Sequence, residues 1–261
     1  MDFKNYLVPG KTGLLIGIGG VSMSPLAEVL HDAGLDIRGS DMAESSNTLT
    51  LRERGIPIHI GHSADNVTDD ISFVIRTAAV HDDNPEVHEA HRRGIPVFER
   101  TQAWGALMRG YQNALCISGT HGKTTTTSMC THIMMAAEKD PTVMIGGTLP
   151  LLKACHRVGK GNTIIMESCE YYNSFLALNP TIAVVLNIEA DHLDFFKDLE
   201  DIKHSFRCFA ERVPAETGTV IANYDDVNGR SARHCAQGHY LRSECKSGRL
   251  CTEHRAPRLG V

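Results

Sequence analysis

The sequence predicts an α/β protein of two consecutive units, each built on a mostly parallel sheet. Short apolar runs alternate with stretches of helical length and pattern up to about residue 227. Two of those runs end in glycine-rich loops that open directly into helices. Two others, "NTIIMES" (162–168) and "TIAVVLNI" (181–188), stay apolar at consecutive positions, as strands covered on both faces do.

The elements follow in order. "TGLLIGIGG" (12–20) reads as a strand ending in a tight loop, and "SPLAEVLHDAG" (24–34) as a helix that Ser24 caps, Pro25 starts and Gly34 stops. "LDIRGSD" (35–41) and "ISFVIRTAAV" (71–80) read as strands, "NPEVHEAHRRG" (84–94) as a helix, "IPVF" (95–98) as a short strand and "TQAWGALMRG" (101–110) as a helix. A second series begins with the strand "ALCISG" (114–119) and a helix from Lys123 to Ala137. The two buried strands follow, then a helix over 198–213 and the strand "GTVIAN" (218–223). The seam falls near Gly110, dividing 1–110 from 111–227.

Composition narrows the function. The 261 residues are 42% hydrophobic, enough to fill real cores, and the net charge of −5 provides no global basic field for nucleic acid or anionic membranes. No apolar run approaches the roughly 20 residues that span a bilayer, and no signal peptide is recognisable, so a cytoplasmic location without membrane insertion is expected. Eight cysteines lack any C-x-x-C pairing, and no disulfide is expected. The pairs His59/His62 and His88/His91 have no third ligand nearby and read as ordinary histidines.

The first glycine loop, "GIGGVSMS" (17–24), places Gly17, Gly19 and Gly20 between a strand and a helix, where backbone N–H groups can approach a pyrophosphate. Ser22 stands where the dinucleotide fingerprint has its third glycine, and Asp41 where an acid that bonds a ribose would sit. These residues alone fit a nicotinamide dinucleotide, another diphosphate such as a nucleotide sugar, or a turn with no ligand.

The second loop, "SGTHGKTTTT" (118–127), carries more. The commoner G-x-x-x-x-G-K-[ST] spacing would put its first glycine at Ile117, yet Gly119, Gly122, Lys123 and Thr124 follow a buried strand and open a helix. In such a loop backbone N–H groups hold phosphate oxygens, the lysine neutralises the transferring phosphoryl group, and the threonine hydroxyl can ligate Mg2+. Glu167 ends one buried strand, and Glu189, Asp191 and His192 follow the other. Strand ends of a parallel sheet gather on one edge, so Glu167 and His192 are expected beside the phosphate loop.

Together "GIGGVSMSPLAEVL", "GSD", "AAVHDDNPEV", "SGTHGKTTTT", "ESCEYYNSFL" and "LNIEADHLDFFKDLEDI" resemble the Mur ligases of peptidoglycan synthesis, in order from residue 10 to about 227. The match is to the branch whose second motif reads E-[AS]-C-E-Y, which adds L-alanine to UDP-N-acetylmuramate. The resemblance implies a Rossmann-like domain over 1–110 that holds the UDP-sugar, followed by a P-loop ATPase domain over 111–227 that is incomplete. It places Gly17, Gly19, Gly20, Ser40, Asp41, Thr77 and Ala78 against the sugar nucleotide. Gly119, Thr120, His121, Gly122, Lys123, Thr124 and Thr125 are implied to hold ATP. Lys123, Glu167 and His192 become catalytic, with Thr124, Glu167 and His192 holding Mg2+ and Glu170 and Asp191 supporting them. The implied reaction activates the lactyl carboxylate as an acyl phosphate, which the amine of L-alanine then attacks.

The pattern ends near Asn228. From there on six arginines, one lysine and two glutamates give the tail +5 against −10 for residues 1–227, and large aliphatic residues are reduced to Leu241, Leu250, Leu259 and Val261. This segment is expected to be disordered and out of the native frame, so that ligation is impaired. Cys235, His239, Cys245, Cys251 and His254 match no zinc-module spacing. Three rival functions remain: a nicotinamide-linked oxidoreductase, which leaves "GTHGKTTTT" idle; a UDP-sugar-binding protein without catalysis; and a ligase for another amino acid or peptide.

Overall fold

The computed structural model describes residues 2–77, 79–223, 225–229, 238–242 and 251–252. They fall into two compact units, Met1–Leu107 and Met108–Val261. The first contains β1 (Thr12–Ile16), α1 (Ser24–Asp32), β2 (Asp36–Asp41), α2 (Ser46–Glu53), β3 (Ile58–Ile60), β4 (Ile71–Arg76), α3 (Pro85–Arg92) and β5 (Val97–Glu99), with α4 (Arg100–Met108) closing it. Its five strands run in the order β3-β2-β1-β4-β5, all parallel.

The chain therefore starts at the sheet centre and winds outward both ways from β1. The crevice beyond the carboxyl ends of β1 and β4 is the switch point of an open α/β sheet, where ligands bind. All five residues of β1 are buried, as its uninterrupted apolar run requires. Leu14, Ile16, Val74, Val87 and Ala90 pack together on one side. Phe3 meets the rings of Phe73 and Phe98 edge-on, each with centroids 5.1 Å away. Gly13 makes room for this, since a Cβ there would lie 2.2 Å from the Phe73 ring.

The second unit contains β6 (Asn113–Ser118), α5 (Lys123–Ala136), β7 (Thr142–Leu149), β8 (Ala154–Arg157), β9 (Thr163–Glu167), β10 (Ile182–Val185), α6 (Leu199–Ala210), β11 (Thr219–Asn223), β12 (Gly238–Arg242) and β13 (Cys251–Thr252). Its order is β13-β12-β11-β10-β6-β9-β7-β8. Pairing is parallel except at the two ends, where β8 and β13 run antiparallel to their neighbours. Again the strand that feeds the glycine loop, β6, lies inside the sheet, with β10 on one side and β9 on the other. The α/β class and its parallel sheets are as the sequence predicts.

Four elements lie outside the sequence reading: α2, β3, β7 and β8. The tail also differs from the expectation of no regular structure. Gly238–Arg242 pairs parallel with β11, and Cys251–Thr252 pairs with β12. Backbone hydrogen bonding to an exposed strand edge needs no apolar period, so composition does not reveal it. The side chains considered as zinc ligands, Cys235, His239, Cys245, Cys251 and His254, lie outside what is described.

Candidate active site

The second glycine loop is shaped by close approach of two backbones. After β6 the chain turns at Gly119, whose φ is +140°, and a Cβ there would stand 2.9 Å from Leu186 Cβ and 3.1 Å from Asn187 N. Only glycine fits. Gly122, φ +83°, is the left-handed residue on which α5 begins, and no side chain caps that helix. By contrast α2, α3 and α6 are capped by Ser45, Asn84 and Asp198. Among the described residues no side chain caps the first-turn N–H groups of α5, and the helix dipole favours negative charge at that end. This is an anion site of the kind that phosphate occupies.

Lys123 Nζ folds back over this loop. It donates to Gly119 O at 2.6 Å and Thr120 O at 3.2 Å, and pairs with Glu170 Oε2 at 3.1 Å. Both side chains are largely buried, Glu170 to 2% exposure, so the pair neutralises a charge that would otherwise be costly. Thr124 Oγ1 donates to Glu167 Oε1 at 3.0 Å, and the other oxygen of Glu167 accepts from Gly146 N at 2.6 Å. A Cβ on Gly146 would lie 2.6 Å from Glu167 Oε1, so glycine in β7 is what lets the carboxylate sit there. The adjacent hydroxyl and carboxylate oxygens are a donor set that fits Mg2+, which takes one or two protein oxygens and completes its octahedron with phosphate and water.

His192 has its own set of contacts. Its backbone is left-handed at φ +52°, its ring stacks on Tyr171 with centroids 4.3 Å apart, and its N–H donates to Asp191 Oδ1 at 2.7 Å. No hydrogen bond or ion pair joins it to Thr124 or Glu167, and no group of three or more His, Cys, Asp or Glu able to hold a metal occurs among the described residues. The hydrogen bond to Asp194, followed by that to Tyr172, raises the Tyr171 phenol well above its ordinary value. His121 lies in the open loop, 3.7 Å from Glu189. Burial pushes the Cys116 thiol up to about 12 and also raises Cys169, so neither supplies a thiolate near neutrality.

The first glycine loop satisfies itself more fully. Gly17, φ +77°, and Ile18 both donate to Ser40 O, at 2.8 and 3.0 Å, and Gly20 donates to Gly17 O at 3.0 Å. Gly19 N donates to Asp41 Oδ2 at 2.8 Å. A Cβ on Gly19 would meet Thr48 Cγ2 at 2.8 Å, because α2 packs directly behind the loop, and Asn47 Nδ2 bonds Gly19 O. The helix missing from the sequence reading thus buttresses the first site. Its signal was the capping box of Ser45 and Thr48.

Ser40 does not face the crevice as expected. Its hydroxyl is fully buried and donates to Glu86 Oε2 at 2.7 Å, and its contribution to the loop is its carbonyl. Glu86, itself buried, also meets His62 Nδ1 at 2.8 Å and Asn66 Nδ2 at 2.6 Å. A buried carboxylate must be satisfied in this way. His62, expected to be an ordinary histidine, is therefore a structural partner. Thr77 is half-buried, its carbonyl accepting from Val80 N; Ala78 lies outside the described residues.

Known proteins share both units. Residues 15–112 match the Mur ligase family, catalytic domain, and residues 117–248 the Mur ligase middle domain. The chain belongs to the Mur ligase family. It is 50% identical over 206 residues to a UDP-N-acetylmuramate--L-alanine ligase of Agathobacter rectalis, covering 79% of this chain and 45% of that protein. The enzyme of the same name from Lachnospira eligens is 49% identical over 82% of this chain and 46% of its own length. The chain thus spans about half the length of the curated relatives it matches. Among solved structures, the UDP-N-acetylmuramate-alanine ligase MurC of Thermotoga maritima superposes with a TM-score of 0.73 at 30% identity, over 88% of this chain and 54% of that one. The UDP-N-acetylmuramate:L-alanyl-gamma-D-glutamyl-meso-diaminopimelate ligase (MPL) of Neisseria meningitides shares the fold, with a TM-score of 0.77 at 22% identity over 94% of this chain and 84% of that one.

Proposed function

We propose that this chain carries the sugar-nucleotide and ATP sites of a ligase joining L-alanine to UDP-N-acetylmuramate, a cytoplasmic step in peptidoglycan precursor synthesis. The observation that carries the reading is the uncapped start of α5, with Lys123 beside it and Thr124 joined to Glu167. Names and identities of the Mur ligase relatives supply the substrates.

In this reading the first-turn amides of α5 hold the triphosphate. Lys123 leaves Glu170 and the loop carbonyls to meet the γ-phosphoryl oxygens, neutralising charge as the lactyl carboxylate attacks phosphorus and the bond to ADP breaks. Mg2+, when bound, would neutralise β- and γ-phosphate oxygens, and Thr124 and Glu167 are the residues that would hold it. The amine of L-alanine then attacks the acyl carbon, the C–O bond to phosphate breaks, and the amine's proton leaves with the phosphate as hydrogen phosphate. Gly17, Gly19, Gly20, Asp41 and Thr77 would line the UDP-sugar side.

The test is phosphate release from ATP by the intact chain with UDP-N-acetylmuramate, with and without L-alanine. Alanine-dependent release that vanishes in Lys123→Ala supports ligation. Since the chain spans about half the length of its relatives, a second reading is binding of both nucleotides without ligation. Calorimetric binding of each nucleotide with no phosphate release would favour it, and no binding of either would overturn both.

A further inference from the structure

Beyond Val185, where β10 leaves the sheet ladder, the chain remains bonded on both sides. Extended backbone alternates the direction of its polar groups, so neighbouring residues address opposite flanks. On the flank of β6, Asn187 O accepts from Thr120 N at 3.0 Å and Glu189 N donates to Thr120 Oγ1 at 2.9 Å. The Asn187 side chain adds a two-point clasp on His121, accepting its N–H at 2.8 Å and donating to its carbonyl at 3.0 Å. Every one of these bonds ends on the phosphate loop.

On the flank of β11, the buried Ile188 exposes its N–H and carbonyl to a turn that follows that strand. Asp226 Oδ2 accepts from Ile188 N at 2.9 Å and from Gly229 N at 2.7 Å, while Asn228 Nδ2 donates to Ile188 O at 2.8 Å. Both backbone polar groups of Ile188 are thus held by two side chains two positions apart, and the Asp226 carboxylate also takes the amide three residues on, at Gly229. A Cβ on Gly229 would come within 2.8 Å of Asp226 Oδ2, so glycine there lets the carboxylate take both amides at once.

We infer that Asp226 and Asn228 are positioning residues. They fix the Ile188 peptide, and through Asn187 and Glu189 they set the shape of the phosphate loop and of the segment that carries Asp191 and His192. Neither residue touches the phosphate site itself. Their effect on nucleotide binding rests on the ligase reading; the clamp on residues 187–189 does not.

Asn228→Ala and Asp226→Ala test it, with Asp226→Asn as the conservative variant that keeps a carbonyl acceptor. Amide hydrogen exchange is followed in peptides covering 119–124 and 186–192, alongside thermal melting and titration with a fluorescent ATP analogue plus Mg2+. In the alanine variants exchange at 186–192 and at 119–124 should rise about tenfold while exchange in β9 and in the part of β6 before residue 117 stays at the wild-type rate. Analogue affinity should fall about three- to tenfold, and Asp226→Asn should recover most of it. Wild-type exchange at both peptides in Asn228→Ala overturns the clamp, as does equal loss of protection throughout the second unit. If Asp226→Ala fails to fold, Asn228→Ala and Asp226→Asn decide. A wild-type chain that binds no analogue overturns the ligase reading, and the exchange measurement still judges the clamp.

Discussion

The two glycine loops have the same setting, a buried central strand feeding a helix at a sheet switch point, but they are held in different ways. In the first, the protein's own oxygens occupy the amides of Gly17, Ile18, Gly19 and Gly20, with Asp41 supplying one of them. In the second, Asn187 oxygens take the amides of Thr120 and His121, and the distinguishing feature is the Lys123–Glu170 ion pair at the start of α5. A ligand at the first loop exchanges hydrogen bonds, whereas a phosphate at the second takes a cation away from a buried anion. In the proposed ligase reading, the first arrangement suits modest, shape-dependent recognition of a sugar nucleotide. The second suits a group whose charge changes during reaction.

Removing the cation should break this contrast most severely. Lys123→Ala should reduce affinity for an ATP analogue, or alanine-dependent phosphate release, by about a hundredfold or more. UDP-N-acetylmuramate binding, measured by calorimetry on the same variant, should be unchanged. A parallel loss of both affinities would show that the loops do not act separately.

Glycine replacement comes next in size. Gly119→Ala combines a disallowed φ with contact on Leu186 and Asn187, and should cost about 2–4 kcal/mol in denaturant unfolding. At Gly17 the φ is also positive, but nothing lies within 4 Å of the added Cβ, so Gly17→Ala should cost about 1 kcal/mol. Equal costs would remove the argument that the second loop is set by backbone contact with residues 186–187.

The sequence shows these loops better than what supports them. Strand, glycine and helix follow one another at both sites, and the long apolar runs of β1, β6 and β9 identify the sheet centres. What it conceals is packing that depends on distant partners. Strand β7 carries Gly146 and Gly147 in mid-strand, and the Glu167 carboxylate that fills the space beside Gly146 comes from a strand 21 residues on. Helix α2 is too polar to show a helical period, and only its capping box marks it. Ser40 sits next to Asp41 in a strand, and alternation alone sends one of them inward; the partner that decides which, Glu86, lies 46 residues on. His192 shows the remaining gap, because motif order brings it to the correct sheet edge without fixing its distance from Thr124 and Glu167.

A milder change sharpens the difference in charge balance. In Glu170→Gln the lysine keeps its two loop carbonyls but no longer pairs with a buried anion. Phosphate then competes only with neutral acceptors, so affinity for the ATP analogue should rise about three- to tenfold, with some loss of thermal stability. Weaker binding would mean that Glu170 assists the bound state rather than restraining the free one.

The smallest effect separates the two units by acid. In the first, Glu89 is held down to about 2, by the hydrogen bond from Arg92 at 2.7 Å and then by that from Arg93. Its ordinary value is 4.5, so the folded chain binds fewer protons than the unfolded one between these limits. The stabilisation is complete above pH 4.5, declines as pH falls, and is gone once pH passes below about 2. Trp104, the single tryptophan, is buried in this unit and reports on it alone. Denaturant midpoints read from its fluorescence should fall with pH in this window, and Glu89→Gln should flatten that slope while leaving the midpoint at low pH nearly unchanged. A slope identical in the variant would assign the acid sensitivity to other carboxylates, first Asp70, held below its ordinary range by the Thr68 hydroxyl and then Arg38, and Asp82, held down by Arg76.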